Sequence, residues 1–189
     1  MGVVLDIILV ILLADFVSGV FHWAEDAYGR PEWPLTGRLI TQPNIRHHFQ
    51  PTYFTRHSWL KSAQVLLVFG AAILASAWAL GLLTWQVLLF VAIGVNANEI
   101  HKWNHLPRSR RHSLVVFLQR IRLLQHSGHH ARHHRGGKDT HYCVITNLVN
   151  PVLEAIDFWR RVERLLAVCF GIRKRHDPSL GTRTSAAFA

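Results

Sequence analysis

The organisation of this sequence is decided by His101-Lys-Trp-Asn-His105 and, further along the chain, by His129-His-Ala-Arg-His-His134. The chain has 14 histidines among 189 residues, and most of them lie in clusters. His101 and His105 are four residues apart, so on a helix their side chains point the same way, and the second stretch contains further pairs at spacings of three and four. Imidazoles at these spacings can hold one transition-metal ion or two adjacent ions. We therefore predict that the two stretches are parts of one metal site.

Further candidate ligands lie upstream of these stretches. The connection between residues 24 and 61 carries four prolines and three histidines, and the end of the first apolar segment places His22 and Asp26 four residues apart. One zinc ion needs only four ligands, so this many imidazoles favour a two-metal site. The candidate metal ligands are His22, His47, His48, His57, His101, His105, His129, His130, His133 and His134.

The residue types in these clusters narrow the choice of metal. Cysteine pairs of the C-x-x-C type are absent from the sequence, which gives little support to structural zinc, iron–sulfur or copper(I) sites. The H-E-x-x-H motif of zinc proteases is absent as well. A His-rich, cysteine-free ligand set at a membrane favours oxygen-activating non-haem iron, and a di-iron centre can remove hydrogen from an unactivated C–H bond. Such chemistry needs exclusion of water and a firmly held substrate.

Composition indicates a membrane protein. Hydrophobic residues make up 50% of the chain, and its seven tryptophans are typical of membrane interfaces. Val3 to Phe21 is nearly continuous apolar sequence, long enough to cross a hydrocarbon core of ~30 Å. The carboxylates of Asp6 and Asp15 are unfavourable in lipid, so we expect them to face protein or a polar cavity. The helical face that carries Asp15 continues through His22 and Asp26.

Further apolar segments complete the predicted frame. Residues 62–80 form a second candidate span, and residues 85–95 begin a short third one that leads towards His101, with a re-entrant hairpin as the alternative. Apolar positions at helical spacing in residues 113–125 and 149–169 predict amphipathic helices at the interface or under the site. The predicted fold is an all-α integral membrane protein with about three transmembrane helices, plus interfacial amphipathic helices around a His-rich metal site.

One domain is expected. Residues 1–172 contain all the apolar segments and the histidine clusters, so we assign them to a single membrane domain. From residue 173 to residue 189 the sequence is polar and contains many small residues, which predicts a disordered tail.

The distribution of charge predicts an orientation. Lys and Arg outnumber Asp and Glu by 21 to 11, a net charge of +10 that suits nucleic acid or an anionic membrane surface. Residues 22–61 contain five Lys or Arg and residues 101–138 contain nine, whereas the turn at 81–84 contains none. By the positive-inside rule both basic segments, and with them the histidine clusters, face the cytoplasm. The membrane would be the inner membrane of a bacterium or the endoplasmic reticulum of a eukaryote.

The sequence resembles the family of lipid desaturases that contains animal plasmanylethanolamine desaturase, its bacterial counterparts and plant fatty acid desaturase 4. The similarity covers about residues 14–165, with the motifs in the family's order, and the combination is far more specific than any single motif. The matching strings are Ala14-Asp-Phe-Val-Ser-Gly19, His22-Trp-Ala-Glu-Asp26, His47-His-Phe-Gln-Pro51, Thr55-Arg-His57, His101-Lys-Trp-Asn-His105, Leu118-Gln119, His129-His-Ala-Arg-His-His134, Tyr142-Cys143 and Phe158-Trp-Arg-Arg-Val-Glu163.

The resemblance implies an O2-dependent oxidoreductase with two non-haem iron ions. One branch of the family forms the vinyl ether of plasmalogens, and the plant branch introduces a trans double bond into an acyl chain of phosphatidylglycerol. The ten histidines would then hold the metal, and Asp26 would be the catalytic carboxylate. We expect plasmanylethanolamine desaturation, with acyl-lipid desaturation or hydroxylation as the alternative. The Arg-Gly-Gly-Lys138 that follows His134 departs from the family pattern and leaves the substrate branch open.

Substrate and partners follow from this chemistry. The substrate would be a membrane phospholipid or ether lipid, and Arg56 and Arg132 are candidates for holding its phosphate. The sequence contains no flavin fingerprint and no haem-binding domain, so we expect a separate electron donor, a cytochrome or a ferredoxin with its reductase. A non-enzymatic membrane protein that binds or transports metal is a remote alternative. A nucleic-acid-binding protein is the weakest alternative, because the apolar segments favour a membrane.

Overall fold

Helix is the only regular secondary structure in the part of the chain that the computed structural model describes, residues 2–135 and 137–176. A turn of π-helix, Gly37–Thr41, and two short 3-10 segments, Tyr53–Arg56 and Arg108–Arg110, lie between the α-helices. The α-helices are α1 Val3–Tyr28, α2 Gln42–Phe49, α3 Trp59–Ala79, α4 Trp85–Val95, α5 Ala97–His105, α6 Ser113–Arg120, α7 Ser127–His130, α8 Val149–Ala155 and α9 Phe158–Phe170.

Two of these helices are long and apolar enough to cross a membrane. Helix α1 has 26 residues and contains an 18-residue stretch with a mean hydropathy of 2.6, and α3 has 21 residues and contains a stretch of the same length with a mean hydropathy of 1.8. At 1.5 Å per residue they are roughly 39 Å and 31 Å long, against a hydrocarbon core of ~30 Å. Their outer faces expose large apolar side chains such as Leu13, Val68 and Trp78. Helix α3 matches the second predicted span to within three residues, whereas α1 begins where the first was predicted and continues to Tyr28, seven residues past Phe21.

The third predicted segment coincides with α4 but does not reach spanning length. Helix α4 has 11 residues, roughly 16 Å, and α5 begins only after a break at Asn96. The Asn96 backbone, at φ −94° and ψ 0°, leaves helical geometry, and its side-chain oxygen accepts a hydrogen bond from Trp59 Nε1 (2.9 Å). Helix α4 packs against α1 and α3, and Gln86 donates a hydrogen bond to Asp6 (3.4 Å). Within the described residues only α1 and α3 therefore reach spanning length.

The proline-rich connection is more helical than the sequence suggested. Helix α2 forms within it, with Pro43 in the first turn, where the missing N–H removes no helical hydrogen bond. His47 and His48 lie in the last turn of α2 and are buried. The histidines expected on a loop are thus presented by a short helix.

Two predicted amphipathic helices are interrupted. The helix predicted over residues 113–125 ends before Arg122, and the one predicted over residues 149–169 is divided into α8 and α9 at Asp157. Both residues have left-handed φ values, 64° and 51°, which cannot continue a right-handed helix. The stretch that begins at His129 is also only partly helical, because α7 ends one residue later and the remaining histidines lie on turns.

An extended segment between α7 and α8 runs beside α1 and is held by Asp15. Asp15 is fully buried, and its carboxylate accepts hydrogen bonds from the backbone N–H groups of Ile145 (2.8 Å) and Thr146 (3.0 Å) and from the Thr146 hydroxyl (2.6 Å). Gly19 permits this close approach, because a Cβ there would lie 2.5 Å from the sulfur of Cys143. Asp15 therefore faces protein, as its position in an apolar helix requires.

The end of the described chain also contacts α1. The backbone N–H of Arg175 donates to the Ala27 carbonyl (2.5 Å), and its guanidinium donates to the Asp26 carbonyl (3.0 Å). Contacts with the domain thus continue past the predicted boundary at residue 172. The prediction of a disordered tail otherwise falls on residues 177–189, which lie outside the described residues.

Removal of the Asp15 carboxylate is expected to detach this segment from α1. Asp15→Ala leaves two buried N–H groups and a hydroxyl without their acceptor, at about 1–3 kcal/mol for each unsatisfied group, so the thermal unfolding midpoint should fall steeply. Asp15→Asn retains one acceptor oxygen, so its unfolding midpoint should fall less. Unfolding of the detergent-solubilised protein measures both. Asp6→Ala is the matched control, since Asp6 accepts only one long hydrogen bond; equal losses in Asp6→Ala and Asp15→Ala would contradict the assignment.

Candidate metal site

Five histidines converge in a first group, and their ligand nitrogens all lie within 4.8 Å of one another. Helix α5 contributes two of them from one face, as their spacing predicts; α2 contributes one; α7 and the turn after it contribute two. The members of the first group are His47, His101, His105, His130 and His134.

The Nε2 atoms of this group have the separations expected of ligands around one ion. The Nε2 of His130 lies 2.8 Å from that of His101 and 3.0 Å from that of His134, and His101 Nε2 lies 3.2 Å from His105 Nε2. Two nitrogens bound at right angles to a metal at about 2.1 Å would lie roughly 3.0 Å apart. Hydrogen bonds do not explain these contacts. A ring nitrogen has either one hydrogen or one lone pair, but His130 Nε2 lies close to two other nitrogens, those of His101 and His134.

A second group contains three imidazoles and one carboxylate, all buried. Asp26 Oδ2 lies 3.7 Å from His22 Nε2 and 3.4 Å from His133 Nε2, and Asp26 Oδ1 lies 3.4 Å from His48 Nε2. The amide of Asn44 donates a hydrogen bond to Asp26 Oδ1 (2.5 Å). The predicted His22–Asp26 pair on α1 therefore meets α2 and the turn after α7. The His133 and His134 rings are 5.2 Å apart, so the two groups adjoin.

Backbone carbonyls orient two imidazoles of the second group. The Nδ1–H of His22 donates to the Tyr142 carbonyl (3.0 Å), and the Nδ1–H of His133 donates to the Thr140 carbonyl (2.9 Å). Each ring then directs the lone pair of Nε2 into the group, which is how metal-binding histidines are usually held. His22 Nε2 and Asp26 Oδ2 are buried without a hydrogen-bond partner. These unsatisfied atoms fit a metal ion.

Burial keeps the imidazoles of the first group neutral. Loss of hydration lowers the pKa of His105 to about 3 and that of His134 to about 2, and repulsion among neighbouring imidazolium charges acts in the same direction. The same causes hold the pKa of His47, His101 and His130 well below its usual value. At neutral pH these side chains therefore have the uncharged form that binds metal.

Two of the ten predicted ligands lie outside both groups. His129 Nε2 accepts a hydrogen bond from the amide of Asn150 (3.2 Å), and its ring packs against His141. The His57 ring packs against Tyr53. The other eight histidines belong to the first or second group, and the role of each as a ligand stays a prediction, as does the catalytic role of Asp26.

The two arginines predicted to hold lipid phosphate are exposed. Arg56 lies in the 3-10 segment after α2, and Arg132 lies on the turn after α7. Neither lines the apolar cavity beside the first group. Their contact with a head group also stays a prediction.

The buried amides that hold the histidine-bearing elements together were not among the predicted site residues. Asn104 donates to Gln125 Oε1 (2.9 Å) and accepts from Gln119 (3.2 Å), and Gln125 donates to the Cys143 carbonyl (2.6 Å). This network joins α5 and α6 to the segment beside α1. Asn104 inside the first histidine stretch was an available signal, but sequence spacing cannot pair it with amides 15 and 21 residues away.

A largely apolar cavity of about 200 Å³ opens beside the first group. Its walls come from α1, α3 and α4, with side chains such as Phe69, and His22, His47 and His101 form part of its lining. Gly94 of α4 also lines it, and a Cβ at Gly94 would meet no atom within 4 Å. The cavity therefore connects an apolar space between the long helices to both groups of metal-binding side chains.

The fold and the site define a class: an all-helical protein with two adjoining groups of potential metal ligands beside an apolar cavity. The lipid desaturase domain model matches residues 11–177, and the chain belongs to the lipid desaturase family. The resemblance seen in the sequence motifs is thereby confirmed. The family is enzymatic, so the chain is an oxidoreductase that acts on lipid, and desaturases of this kind generally use an electron donor. The non-enzymatic alternatives, a metal-transport and a nucleic-acid-binding protein, are set aside.

Relatives with curated names come from three kingdoms. Mouse plasmanylethanolamine desaturase 1 is 32% identical over 187 residues, which covers 93% of this chain and 69% of the relative. Plasmanylethanolamine desaturase of Myxococcus xanthus is 31% identical, covering 90% and 63%, and the chloroplastic fatty acid desaturase 4 of Arabidopsis thaliana is 30% identical, covering 87% and 51%. The chain thus spans between half and about two thirds of the length of these relatives. No solved structure matches.

Loss of a histidine from the first group is expected to remove bound metal. His101→Ala and His134→Ala should each abolish lipid turnover and weaken metal binding by at least about tenfold, because each deletes a nitrogen from the shared centre. Metal analysis of the purified, iron-reconstituted protein measures this, and circular dichroism confirms folding. His57→Ala and His129→Ala are the matched controls, since both residues lie outside the groups. Full metal content in His101→Ala, or equal losses in the controls, would contradict the assignment of His101 to the metal-binding group and of His57 and His129 to positions outside it.

Proposed function

We propose that this protein is a di-iron membrane lipid desaturase that uses O2 and electrons from a separate carrier. The observation that carries the proposal is that three histidines belong both to the metal-binding groups and to the wall of the apolar cavity. His47 and His101 come from the first group and His22 from the second. A hydrocarbon chain in this cavity would therefore reach both groups while its remainder stays between the long helices.

The position of the groups supports a site at one membrane surface. His22 and Asp26 lie near the end of α1, and α3 begins on the same side, where Trp59 binds Asn96 just before α5. With α1 and α3 crossing the bilayer, both groups then lie at one surface. The basic segments around the histidines favour the cytoplasmic side, in a bacterial inner membrane or the endoplasmic reticulum. A lipid would present its head-group end to the groups.

Eight histidines and Asp26 would hold the two iron ions. Iron bound there supplies the activation of O2 and the removal of hydrogen from a C–H bond. The protein itself holds the ligands: the carbonyls of Tyr142 and Thr140 orient two imidazoles, and Asn44 orients the Asp26 carboxylate. Asp26 also contributes the negative charge that offsets an ion among neutral imidazoles. The apolar cavity walls keep water from the reacting carbon.

The favoured substrate is an ether phospholipid, converted to the vinyl ether of a plasmalogen. The names of the mouse and Myxococcus relatives, plasmanylethanolamine desaturases, support this choice. Desaturation of an acyl chain is the second candidate, supported by the Arabidopsis fatty acid desaturase 4. Hydroxylation on the same scaffold is the closest alternative in chemistry. Arg56 and Arg132, exposed at the membrane surface, are proposed to contact the phosphate.

Expression in a plasmalogen-deficient cell tests the proposal. We expect acid-labile vinyl-ether lipids to appear, with a mass two hydrogens below that of the saturated ether lipid, and to disappear in His101→Ala. A gain of one oxygen would indicate a hydroxylase, and a loss of two hydrogens from ester-linked chains would indicate an acyl-lipid desaturase. If no O2-dependent change of any lipid occurs with an active donor system present, the proposal is wrong.

Filling the cavity at Gly94 is expected to change which chains are accepted. Gly94→Leu places a large side chain in open space beside the proposed hydrocarbon, so products should shift towards shorter chains and the KM for long-chain lipid should rise about tenfold. Gly94→Ala is the matched control, because one methyl group meets no atom there and should leave the product profile unchanged. Lipid mass spectrometry of both variants provides the measurement. An unaltered chain-length profile in Gly94→Leu would show that the chain does not occupy this cavity.

A further inference from the structure

A second cavity reaches the metal-binding groups from a different side. It has a volume of about 240 Å³ and shares no lining residue with the apolar cavity. Asp26 of the second group lines it, and so does Tyr142, whose carbonyl orients His22. The second group therefore borders both cavities, because its His22 lines the apolar cavity and its Asp26 lines this one, which is surrounded largely by charged residues.

The mouth of this second cavity is basic. Its lining includes Lys138, Lys174 and Arg175, which we call the basic rim. Each rim residue is held by a different contact: Lys138 donates to the His48 carbonyl (3.3 Å), Lys174 pairs with Glu163 (3.1 Å), and Arg175 donates to the end of α1. The Lys174 side chain is 45% exposed, and Arg175 Nε is buried without a hydrogen-bond partner. Asp26 and Asp139 line the same cavity, so its three basic side chains outnumber its two carboxylates and leave an excess of positive charge at the rim.

Desaturation with O2 requires more electrons than the lipid supplies. Removal of two hydrogens forms one C=C bond, and reduction of O2 to two waters consumes four electrons and four protons. The lipid provides two of each, so two electrons must come from a carrier and two protons from solvent. This step rests on the proposed function. Apart from the two metal-binding groups, the described residues form no cluster of three or more His, Cys, Asp or Glu ligands that could hold a redox metal.

We propose that the basic rim is the docking surface for an acidic one-electron carrier protein. The apolar cavity faces the hydrocarbon between α1, α3 and α4, so a water-soluble carrier cannot use it. The rim lies at the other opening, and its cavity wall includes Asp26, so a carrier bound there places its cofactor beside the second group. Opposite charge at the edge of an interface accelerates encounter and fixes orientation, which suits a transient electron-transfer complex.

A second basic surface distinguishes this proposal from general attraction by net charge. Residues Arg108–Arg110 form an exposed 3-10 segment after α5 that lines neither cavity. A carrier attracted only by the +10 net charge would respond equally to charge removed at either place. A carrier that docks on the rim would respond mainly to Lys138 and Lys174.

The test measures binding without turnover. The full chain, loaded with redox-inactive zinc in zwitterionic nanodiscs, is titrated with two acidic probes, an oxidised plant-type [2Fe–2S] ferredoxin and the soluble haem domain of a cytochrome b5. The double variant Lys138→Gln/Lys174→Gln should weaken the Kd of the bound probe about tenfold at low salt, and the difference should vanish at high salt, where surface charges are screened. The matched double variant Arg108→Gln/Arg110→Gln should keep the wild-type Kd. Metal content and unfolding midpoint confirm that the variants fold.

Several results would overturn the docking proposal. These are a rim variant with wild-type affinity, an equal loss in the Arg108/Arg110 variant, and a wild-type Kd that does not depend on salt. Failure of both probes to bind the wild-type chain would overturn it too. If vinyl-ether or other desaturated lipid is formed while any of these results holds, only the docking surface is wrong. If no lipid product forms at all, the proposed function itself fails.

Discussion

The carboxylate of Asp15 is the interaction on which the rest of the structure depends. It is buried in an apolar helix, where a charge is tolerated only if its hydrogen-bonding capacity is used, and three donors from Ile145 and Thr146 use it. This contact lays the segment beside α1, so that the Tyr142 carbonyl meets His22 and the Cys143 carbonyl meets Gln125. One buried anion thus aligns the long helix with the elements that carry the later histidines.

The histidine groups place unusual demands on a protein interior. Neutral imidazoles can be buried, but each ring still has a donor and an acceptor nitrogen to satisfy. Both ring nitrogens of His47, the Nδ1 atoms of His130 and His134, and Asp26 Oδ2 are buried without a hydrogen-bond partner in the protein. The amide network around Asn104 joins α5 and α6 to the segment beside α1. Metal ions in the two groups would satisfy Asp26 Oδ2 and one ring nitrogen of His47.

The two sides of the site differ in the chemistry of the residues that line them. On one side Phe69 and neighbouring apolar residues line a cavity that continues between the long helices. On the other side Lys138 and Arg175 surround a polar opening that reaches Asp26. An apolar wall favours hydrocarbon, because a polar group there would lose its hydration without replacement. A basic opening favours anionic partners, because opposite charges attract. The single site therefore lies at the boundary of two chemically different environments.

The sequence alone determined the composition of the site, because ligand chemistry is a property of residue type and helical spacing is local. It predicted α1, α3, the His101–His105 face and the family. It could not separate eight histidines from His57 and His129, since the division depends on which elements meet in space. It also overextended helices that end near Arg122 and Asp157, where positive φ overrides apolar periodicity. Only the tertiary structure decided these points, because contacts between distant elements, such as that of Asp15 with residues 145–146, have no signature in local spacing.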